Sequence, residues 1–447
     1  MRAALHNLGC KVNSYETEAM QEMLMAAGYE IVDFNEKADV YIINTCSVTN
    51  MADRKSRQMI HRARKHNPDS IVVAAGCYVQ TSSQQVIDDL AVDIVIGNNQ
   101  KNQLVELIHE FAKKNKKEKV VSCVDINDGV YEYENLSVKT TGEHTRAFIK
   151  VQDGCNQFCS YCIIPFARGR VRSREVEDVV KEITGLAQAG YQEVVLTGIH
   201  LSSYGLNENY NQVYRNQVVQ EQLLALIEAV AEIEGIERIR LGSLEPQVIT
   251  EEFAKRLANV KKFCPHFHLS LQSGCDDTLK RMNRKYTVEE YKKGCEILRK
   301  YFSNPAITTD VIVGFPGETE EEFQETRDYL ENIHFYEMHI FKYSKRQGTK
   351  AATMPNQVPE PIKTQRSDVL LGLEKTMSKE FRESFIGRPV EVLFETPLEM
   401  DGISYYTGYT KEYIRVAYKT SENISNQRMM GVMGENLQDD IYQFTPV

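Results

Sequence analysis

The chain has 447 residues, 42% hydrophobic and 26% charged, an ordinary balance for a folded protein of about three domains at ~150 residues each. No run approaches the ~18 apolar residues of a membrane span, and the start, Met1 to Cys10, lacks the ~7–15-residue apolar core of a secretory signal. The expectation is a cytoplasmic protein with no membrane contact. A net charge of −10 argues against a generally basic nucleic-acid binder but leaves room for a local basic surface. Ten cysteines in such a chain point to metal binding or catalysis rather than a disulfide framework.

The first block, residues 1–112, alternates short apolar runs with helical patterns. Arg2–Leu8, Val40–Asn44, Ile71–Ala75 and Ile94–Ile96 read as buried strands. Glu16–Ala27 reads as a helix, with Asn13 and Ser14 as caps and Gly28 after its end; Asn50–Lys65 and Gln84–Leu90 read as two more. This alternation predicts an α/β domain with a parallel sheet. Residues 113–143 read as a linker, opening on a lysine-rich run at 113–119 and continuing as a polar segment.

The second block, 144–372, repeats strand and helix six times. Its strands read Ala147–Val151, Glu193–Thr197, Arg238–Leu241, His266–Leu271, Thr308–Val313 and Glu337–Lys342. Between them lie helical patterns at Glu175–Gln188, Val218–Ile233, Glu251–Ala258, Val288–Tyr301 and Glu320–Asn332. This predicts a partial (β/α)6 barrel, with ligands at the strand C-terminal ends. The third block, 375–447, changes to short strand candidates at Val390–Glu395, Tyr405–Tyr409, Ile414–Tyr418 and Tyr442–Phe444, a small antiparallel β-barrel.

Cys155, Cys159 and Cys162 follow the first strand of the second block. Three thiolates on one short loop hold three irons of a cubane cluster and leave the fourth open. A zinc site wants four ligands, and completing one here would need a remote donor. Cys10, Cys46 and Cys77 each sit just past a strand of the first block. In a parallel sheet such ends share one edge, where open α/β sheets bind ligands, and Gly9 and Gly76 permit close backbone approach. These three suggest a second cluster with one open iron; the alternative is three buried small hydrophobes. Cys123, Cys264, Cys275 and Cys295 read as packing residues.

The CxxxCxxC spacing resembles the radical-SAM superfamily signature. That resemblance implies that the open iron chelates S-adenosylmethionine (SAM), that one electron cleaves it to a 5′-deoxyadenosyl radical, and that Tyr161 lies near the adenine. The resemblance then closes on one family. Leu8-Gly-Cys10-Lys-Val-Asn13 with Glu16, Asn44-Thr-Cys46-Ser-Val-Thr49, Gly76-Cys77, and Gly154 to Arg174 resemble the methylthiotransferases over the whole chain. The terminal block is similar to their TRAM RNA-binding domain. The resemblance implies two 4Fe–4S clusters, one making the radical and one holding the transferred sulfur. The implied partners are tRNA, SAM and an electron donor such as a flavodoxin or ferredoxin. Lys11-Val-Asn13 and Ser47-Val-Thr49 resemble members that modify N6-threonylcarbamoyladenosine beside the anticodon. Other members act on isopentenyladenosine or a ribosomal-protein aspartate. A non-catalytic RNA-binding protein holding structural zinc is the reading from another class.

Further candidates follow from strand-end position. Ser243 and Glu245, Gln272 and Ser273, and Asp310 are expected to face the SAM site. The Gly-Gly-Glu of several relatives is replaced by Thr197–Gly205, where Gly198 leaves space for methionine. Val311–Glu318 fits a family adenine-binding pattern loosely, and a strand ending in a Pro-Gly turn explains it equally well. For RNA, the basic candidates are Arg168, Arg170, Arg172, Arg174, Arg281, Arg284 and Lys285, with Arg54, Lys55, Arg57, Arg62, Arg64 and Lys65 on one helix; solvated faces are the alternative.

Overall fold

The computed structural model describes residues 1–113, 118–129, 131–139, 145–206 and 215–447. Residues 114–117 of the expected linker and 207–214 lie outside them.

The N-terminal domain is a six-stranded parallel sheet ordered β2-β1-β3-β4-β5-β6. Its strands are β1 (Arg2–Asn7), β2 (Glu30–Ile31), β3 (Val40–Thr45), β4 (Ile71–Gly76), β5 (Ile94–Ile96) and β6 (Val120–Ser122). β3 and β4 are buried at every position, as central parallel strands covered on both faces must be. Helices α1 (Lys11–Ala26) and α5 (Leu104–Lys113) pack one face through Met20, Leu24 and Leu107. Helices α2 (Asn50–His66), α3 (Cys77–Thr81) and α4 (Ser83–Asp88) cover the other through Ile60, Tyr78 and Val86. α1 begins at Lys11, not Glu16, so Asn13 and Ser14 are not caps. The Asn13 amide instead donates to Leu8 O at 2.7 Å and Thr45 O at 3.0 Å, tying the helix to two strand ends.

The central domain carries six parallel strands: β7 (Arg146–Asp153), then, after α6 (Ile164–Arg168), the short antiparallel β8 (Arg172–Ser173) and α7 (Val176–Gln188), β9 (Glu193–Gly198). After α8 (Arg215–Ala231) come β10 (Arg238–Leu241), α9 (Glu251–Ala258), β11 (His266–His268), α10 (Asp276–Arg281), α11 (Val288–Tyr301), β12 (Ala306–Val313), α12 (Glu320–Ile333) and β13 (Glu337–Lys342). β11 stops three residues before the expected Leu271; single bridges at Leu269 and Gln272 continue its path. Sheets β10-β9-β7-β8 and β11-β12-β13 join edge to edge through such bridges, while β7 and β13 do not pair. The barrel is therefore open between them. Ala147, Ile149 and Val151 point to the helices, and Phe148, Lys150 and Gln152 alternate toward the lumen.

α13 (Glu360–Glu383) runs unbroken through the expected boundary at 372–375 and buries Arg366, Leu370 and Met377 along one stripe. Its sparse apolar positions hid it from periodicity. Beyond it, β14 (Pro389–Met400), β15 (Ile403–Thr410), β16 (Arg415–Lys419), β17 (Arg428–Gln438) and β18 (Ile441–Pro446) close a barrel ordered β14-β15-β16-β18-β17. All its pairs are antiparallel except β16 with β18. β17 was not expected from the sequence, because Gly431 and Gly434 interrupt its apolar alternation.

This small barrel seals the bottom of the central one. The Arg238 guanidinium donates to Tyr409 O at 2.9 Å and Glu391 O at 2.8 Å, and Arg240 to Lys411 O at 2.7 Å and Thr410 O at 2.8 Å. A bulge between Phe394 and Thr396 turns Glu395 toward Arg146. Arg146 and Arg240 each stand 4.9 Å from the Tyr413 ring, which stacks on His266 at 5.1 Å. Glu193 gathers Arg240 at 2.8 Å and both Arg146 and Arg238 at 3.5 Å.

Burial alone would raise the Glu193 pKa, but Arg240, Arg146 and Arg238 hold it down to about 2. Its contribution is present above the ordinary glutamate value of ~4.3 and is lost as pH falls toward the depressed value. Glu193→Gln should cost about 3–5 kcal/mol at neutral pH, because it leaves buried guanidiniums unpaired. Thermal midpoints at about pH 7 and about pH 3 check this; the variant's midpoint should fall less between them than the parent's.

Candidate active site

The strand register Asn7↔Asn44 and Thr45↔Gly76 brings Cys10, Cys46 and Cys77 to one edge of the N-terminal sheet. The thiols act on one another: Cys77 bears on Cys10, and both bear on Cys46. The cradle needs its glycines. At Gly9 (φ +109°) a Cβ would lie 2.8 Å from Cys46 Sγ, and at Gly76 (φ +97°) 2.6 Å from Asn44 Oδ1. Asn98 Nδ2 stands 3.6 Å from Cys77 Sγ and donates to Ala167 O of α6 at 2.7 Å.

Cys155, Cys159 and Cys162 lie on the loop that leaves β7. Cys155 N donates to Gly169 O at 3.0 Å, and Cys162 N to Cys159 O at 2.9 Å. A Cβ at Gly154 (φ +70°) would fall 1.9 Å from Arg170 O, so only glycine can precede Cys155. Ser160 anchors the loop's middle, its N–H donating to Met282 O at 2.9 Å and its carbonyl accepting from Ala351 N at 2.7 Å.

Burial pushes the thiols of Cys10, Cys46, Cys155 and Cys162 up, Cys46 to about 11 and Cys162 to about 12. Thiolates form here when a bound cation compensates them. In neither triad do all three sulfurs lie within 4.8 Å of one another. Tetrahedral zinc, with bonds of ~2.3 Å, draws its sulfurs to roughly 3.8 Å. Three thiol donors match in kind and number the ligands that hold three corners of a cubane.

Between the triads runs a buried ionic bridge. Arg168, at the end of α6, donates to Glu16 Oε1 at 2.8 Å, Asn13 Oδ1 at 2.6 Å and Asp153 Oδ1 at 3.1 Å. Lys150 pairs with Glu16 at 2.8 Å and Asp153 at 2.7 Å, Lys101 with Glu16 at 3.1 Å, and Arg172 with Asp153 at 3.6 Å. Four cations meet two carboxylates. The surplus positive charge faces sulfur, since Arg168 acts directly on Cys77 and Cys10.

A second knot surrounds the CxxxCxxC loop. Glu245 accepts from Gln157 Nε2 at 3.0 Å and lies 3.2 Å from His200 Nε2 and 2.9 Å from Arg284. Arg284 also donates to Cys159 Sγ at 3.2 Å, the kind of contact that tunes a cluster's potential. Gln157 and His200 went unnoticed in the sequence, hidden inside a motif and in a loop.

Several expectations change. Arg168, Arg172 and Arg284 are not RNA contacts: the first is fully buried in the bridge, Arg172 donates to Arg168 O and Arg170 O at 3.0 Å each, and Arg284 is held at the sulfur. Arg174 and Arg281 are likewise paired, with Glu182 and Glu322. Gly198 does not leave methionine space, because a Cβ there would meet Gln152 at 2.8 Å. Ser273 is buried against Thr326, and Glu318 accepts from Gly314 N at 3.0 Å and pairs with Arg366, so both support the backbone. Tyr161 packs 6.2 Å from Phe315, Ser243 is exposed, and Gln272 (φ +75°) pairs with Asp310 O at 2.8 Å. Asp310 faces the lumen, 3.3 Å from His268. Arg170 and Lys285 keep surface positions, Arg170 standing 4.8 Å from the exposed Phe158 ring.

A cavity of about 1020 Å³ opens between the domains, from Gln80 and Thr81 beside Cys77 to Ile163 and Phe166 beside Cys162, with Arg57 and Arg346 on its walls. Arg346, past β13, pairs with Asp53 and Ser47, and the Asn50 amide donates to Lys345 O at 2.9 Å. The N-terminal domain thus joins both lips of the open barrel.

Residues 149–330 match the Radical SAM superfamily, and residues 2–97 the Uncharacterized protein family UPF0004. The chain is 42% identical over 423 residues to the threonylcarbamoyladenosine tRNA methylthiotransferase MtaB of Bacillus subtilis, covering 94% of this chain and 91% of that protein. It is 42% identical to the MtaB of Aquifex aeolicus, over 88% and 92%. To the tRNA-2-methylthio-N(6)-dimethylallyladenosine synthase of Thermoanaerobacter sp. it is 36% identical, over 88% and 81%. The radical SAM methyltransferase TsrM of Kitasatospora setae shares the fold at a TM-score of 0.57, with 18% identity over 76% of this chain and 74% of that one. The chain belongs to the radical-SAM methylthiotransferase family. It is an enzyme, and its sequence is similar to both the MtaB proteins and the dimethylallyladenosine synthases.

Arg168→Met should destabilise the protein by about 3–5 kcal/mol, because Glu16 and Asp153 remain buried. Thermal unfolding with tRNA retention measured alongside checks it. A normal midpoint with weakened tRNA binding would return Arg168 to the RNA surface.

Proposed function

We propose that the enzyme adds a methylthio group to C2 of N6-threonylcarbamoyladenosine beside the anticodon of tRNA, using two 4Fe–4S clusters and SAM. The observation that carries this reading is the pair of three-thiol groups, Cys10, Cys46 and Cys77 at one sheet edge and Cys155, Cys159 and Cys162 on the loop leaving β7, with the Arg168 bridge between them. The substrate follows from the two relatives at 42% identity.

When bound, the cluster on Cys155, Cys159 and Cys162 supplies the electron that cleaves SAM, and that on Cys10, Cys46 and Cys77 carries the sulfur to be transferred. The chain's own groups orient and enclose. Arg284 holds Cys159, Glu245 fixes Arg284 and His200, and Arg168 with Lys150 locks the two cradles to each other. Glu245, just past β10, and Asp310, facing the lumen from β12, are the groups toward SAM, while Tyr161 and Gln272 support the loop and the strand around them. The target adenosine reaches the cavity from its stack, a step such chemistry on a duplexed or stacked base demands. Phe158 and Phe166, exposed and edge-to-face at 5.9 Å, offer it an apolar surface. Exposed Arg54, Lys55 and Arg57 on α2, with Arg170 and Lys285, grip phosphates. No helix among the described residues is long and apolar enough to cross a membrane. A cytoplasmic setting and a flavodoxin- or ferredoxin-like electron donor complete the reading.

Mass spectrometry of tRNA nucleosides from a strain lacking the gene should show loss of 2-methylthio-N6-threonylcarbamoyladenosine, restored by the gene. Complementation with Cys155→Ala or Cys46→Ala should fail. Purified Cys46→Ala should still cleave SAM reductively, and Cys155→Ala should not. An unchanged profile, or loss of the dimethylallyl nucleoside instead, would overturn the substrate; full activity of Cys46→Ala would overturn the second cradle.

A further inference from the structure

The lumen of the central barrel is a charged chamber. At its floor Arg146, Arg238 and Arg240 meet Glu193, Glu391 and Glu395, with Arg428 also on Glu391. Asp310, higher on the wall, is paired with His268 at 3.3 Å. Among the described residues, Lys11 pairs with no acid. Lys11, the residue after Cys10, is exposed to the lumen with its Nζ 5.9 Å from the Phe148 ring centroid. Arg146, Arg240 and Glu193 are the charges that bear on it, and Glu193 already holds three guanidiniums.

A surplus ammonium inside a chamber walled by protein is a receptor for an anion, since its field is little screened there. Its place is informative. Lys11 opens α1 directly after a thiol of the N-terminal cradle, and reaches the wall strand β7. On adenine, C2 and C6 both flank N1, so the N6 substituent leaves from the same edge of the ring as C2. The threonylcarbamoyl group links threonine through its nitrogen and so keeps a free carboxylate. A dimethylallyl group has no charge.

We propose that Lys11 is a specificity-determining residue that receives the threonine carboxylate of the substrate in the barrel lumen. The assignment rests on the threonylcarbamoyladenosine reading above. An ion pair made in a partly desolvated chamber discriminates against a neutral analogue, whose binding leaves the ammonium unpaired.

The test uses the enzyme with both clusters reconstituted and three anticodon stem-loop RNAs. These carry threonylcarbamoyladenosine, its methyl ester, or dimethylallyladenosine. For the wild type, kcat/KM should favour the acid over the ester. In Lys11→Gln that preference should shrink by about 10–100-fold, chiefly through KM, and Lys11→Arg should restore much of it. Iron and sulfide content of the same preparations reports whether the neighbouring cradle is intact. A preference unchanged in Lys11→Gln with normal iron overturns the assignment, as does a uniform loss on all three RNAs. If the wild type instead turns over only the dimethylallyl RNA, the threonylcarbamoyl reading falls and the Lys11 proposal falls with it. If it turns over the acid and ester equally, Lys11 alone is overturned.

Discussion

Everything in the active region hangs on one buried contact, Arg168 against Glu16 and Asp153. Glu16 belongs to the N-terminal sheet domain and Arg168 to the loop system of the central barrel. Each would be costly to bury alone, and each is fully buried. The pair therefore forces the two domains into a single arrangement, with Lys101, Lys150 and Arg172 completing the set. Its excess positive charge is not an error in the accounting. It stands beside Cys10 and Cys77, where thiolates holding a cluster would supply the missing negative charge.

That arrangement explains why an open barrel can serve as a chamber. The gap between β7 and β13 is spanned by the N-terminal domain, which holds β7 through Glu16 and Lys150 and the segment past β13 through Asp53 and Arg346. The floor is stopped by the C-terminal barrel, whose turn at Tyr413 stacks on His266 and under two arginines. Three domains thus contribute one wall each. The C-terminal barrel thus closes the chamber, so its loss would open the lumen to water.

Much of this was legible in the sequence. Strands such as Val40–Thr45 and Ile71–Gly76 are unbroken apolar runs, and the six cysteines stand at strand ends where parallel topology must gather them. The arginines were legible only as charge. Arg168, Arg172 and Arg284 sit in stretches that read as basic surface, because nothing local reveals that Glu16, 152 residues earlier, or Glu245 is the partner. Buried Glu16 likewise read as the first residue of a helix and Asn13 as its cap. α13 was missed for a related reason: its buried stripe includes Lys363 and Arg366, so the apolar period is broken. What periodicity recovers is burial of apolar groups; paired charges buried between distant segments leave no period.

The central claim is that this ionic bridge holds two cluster cradles beside each other. Electron paramagnetic resonance of the fully reconstituted, reduced enzyme addresses it directly. The account predicts that the two reduced clusters interact magnetically, broadening or splitting each other's signals, and that Cys46→Ala leaves a single unsplit signal from the other cradle. Two independent, non-interacting signals in the wild type, or iron bound at only one cradle, would contradict it.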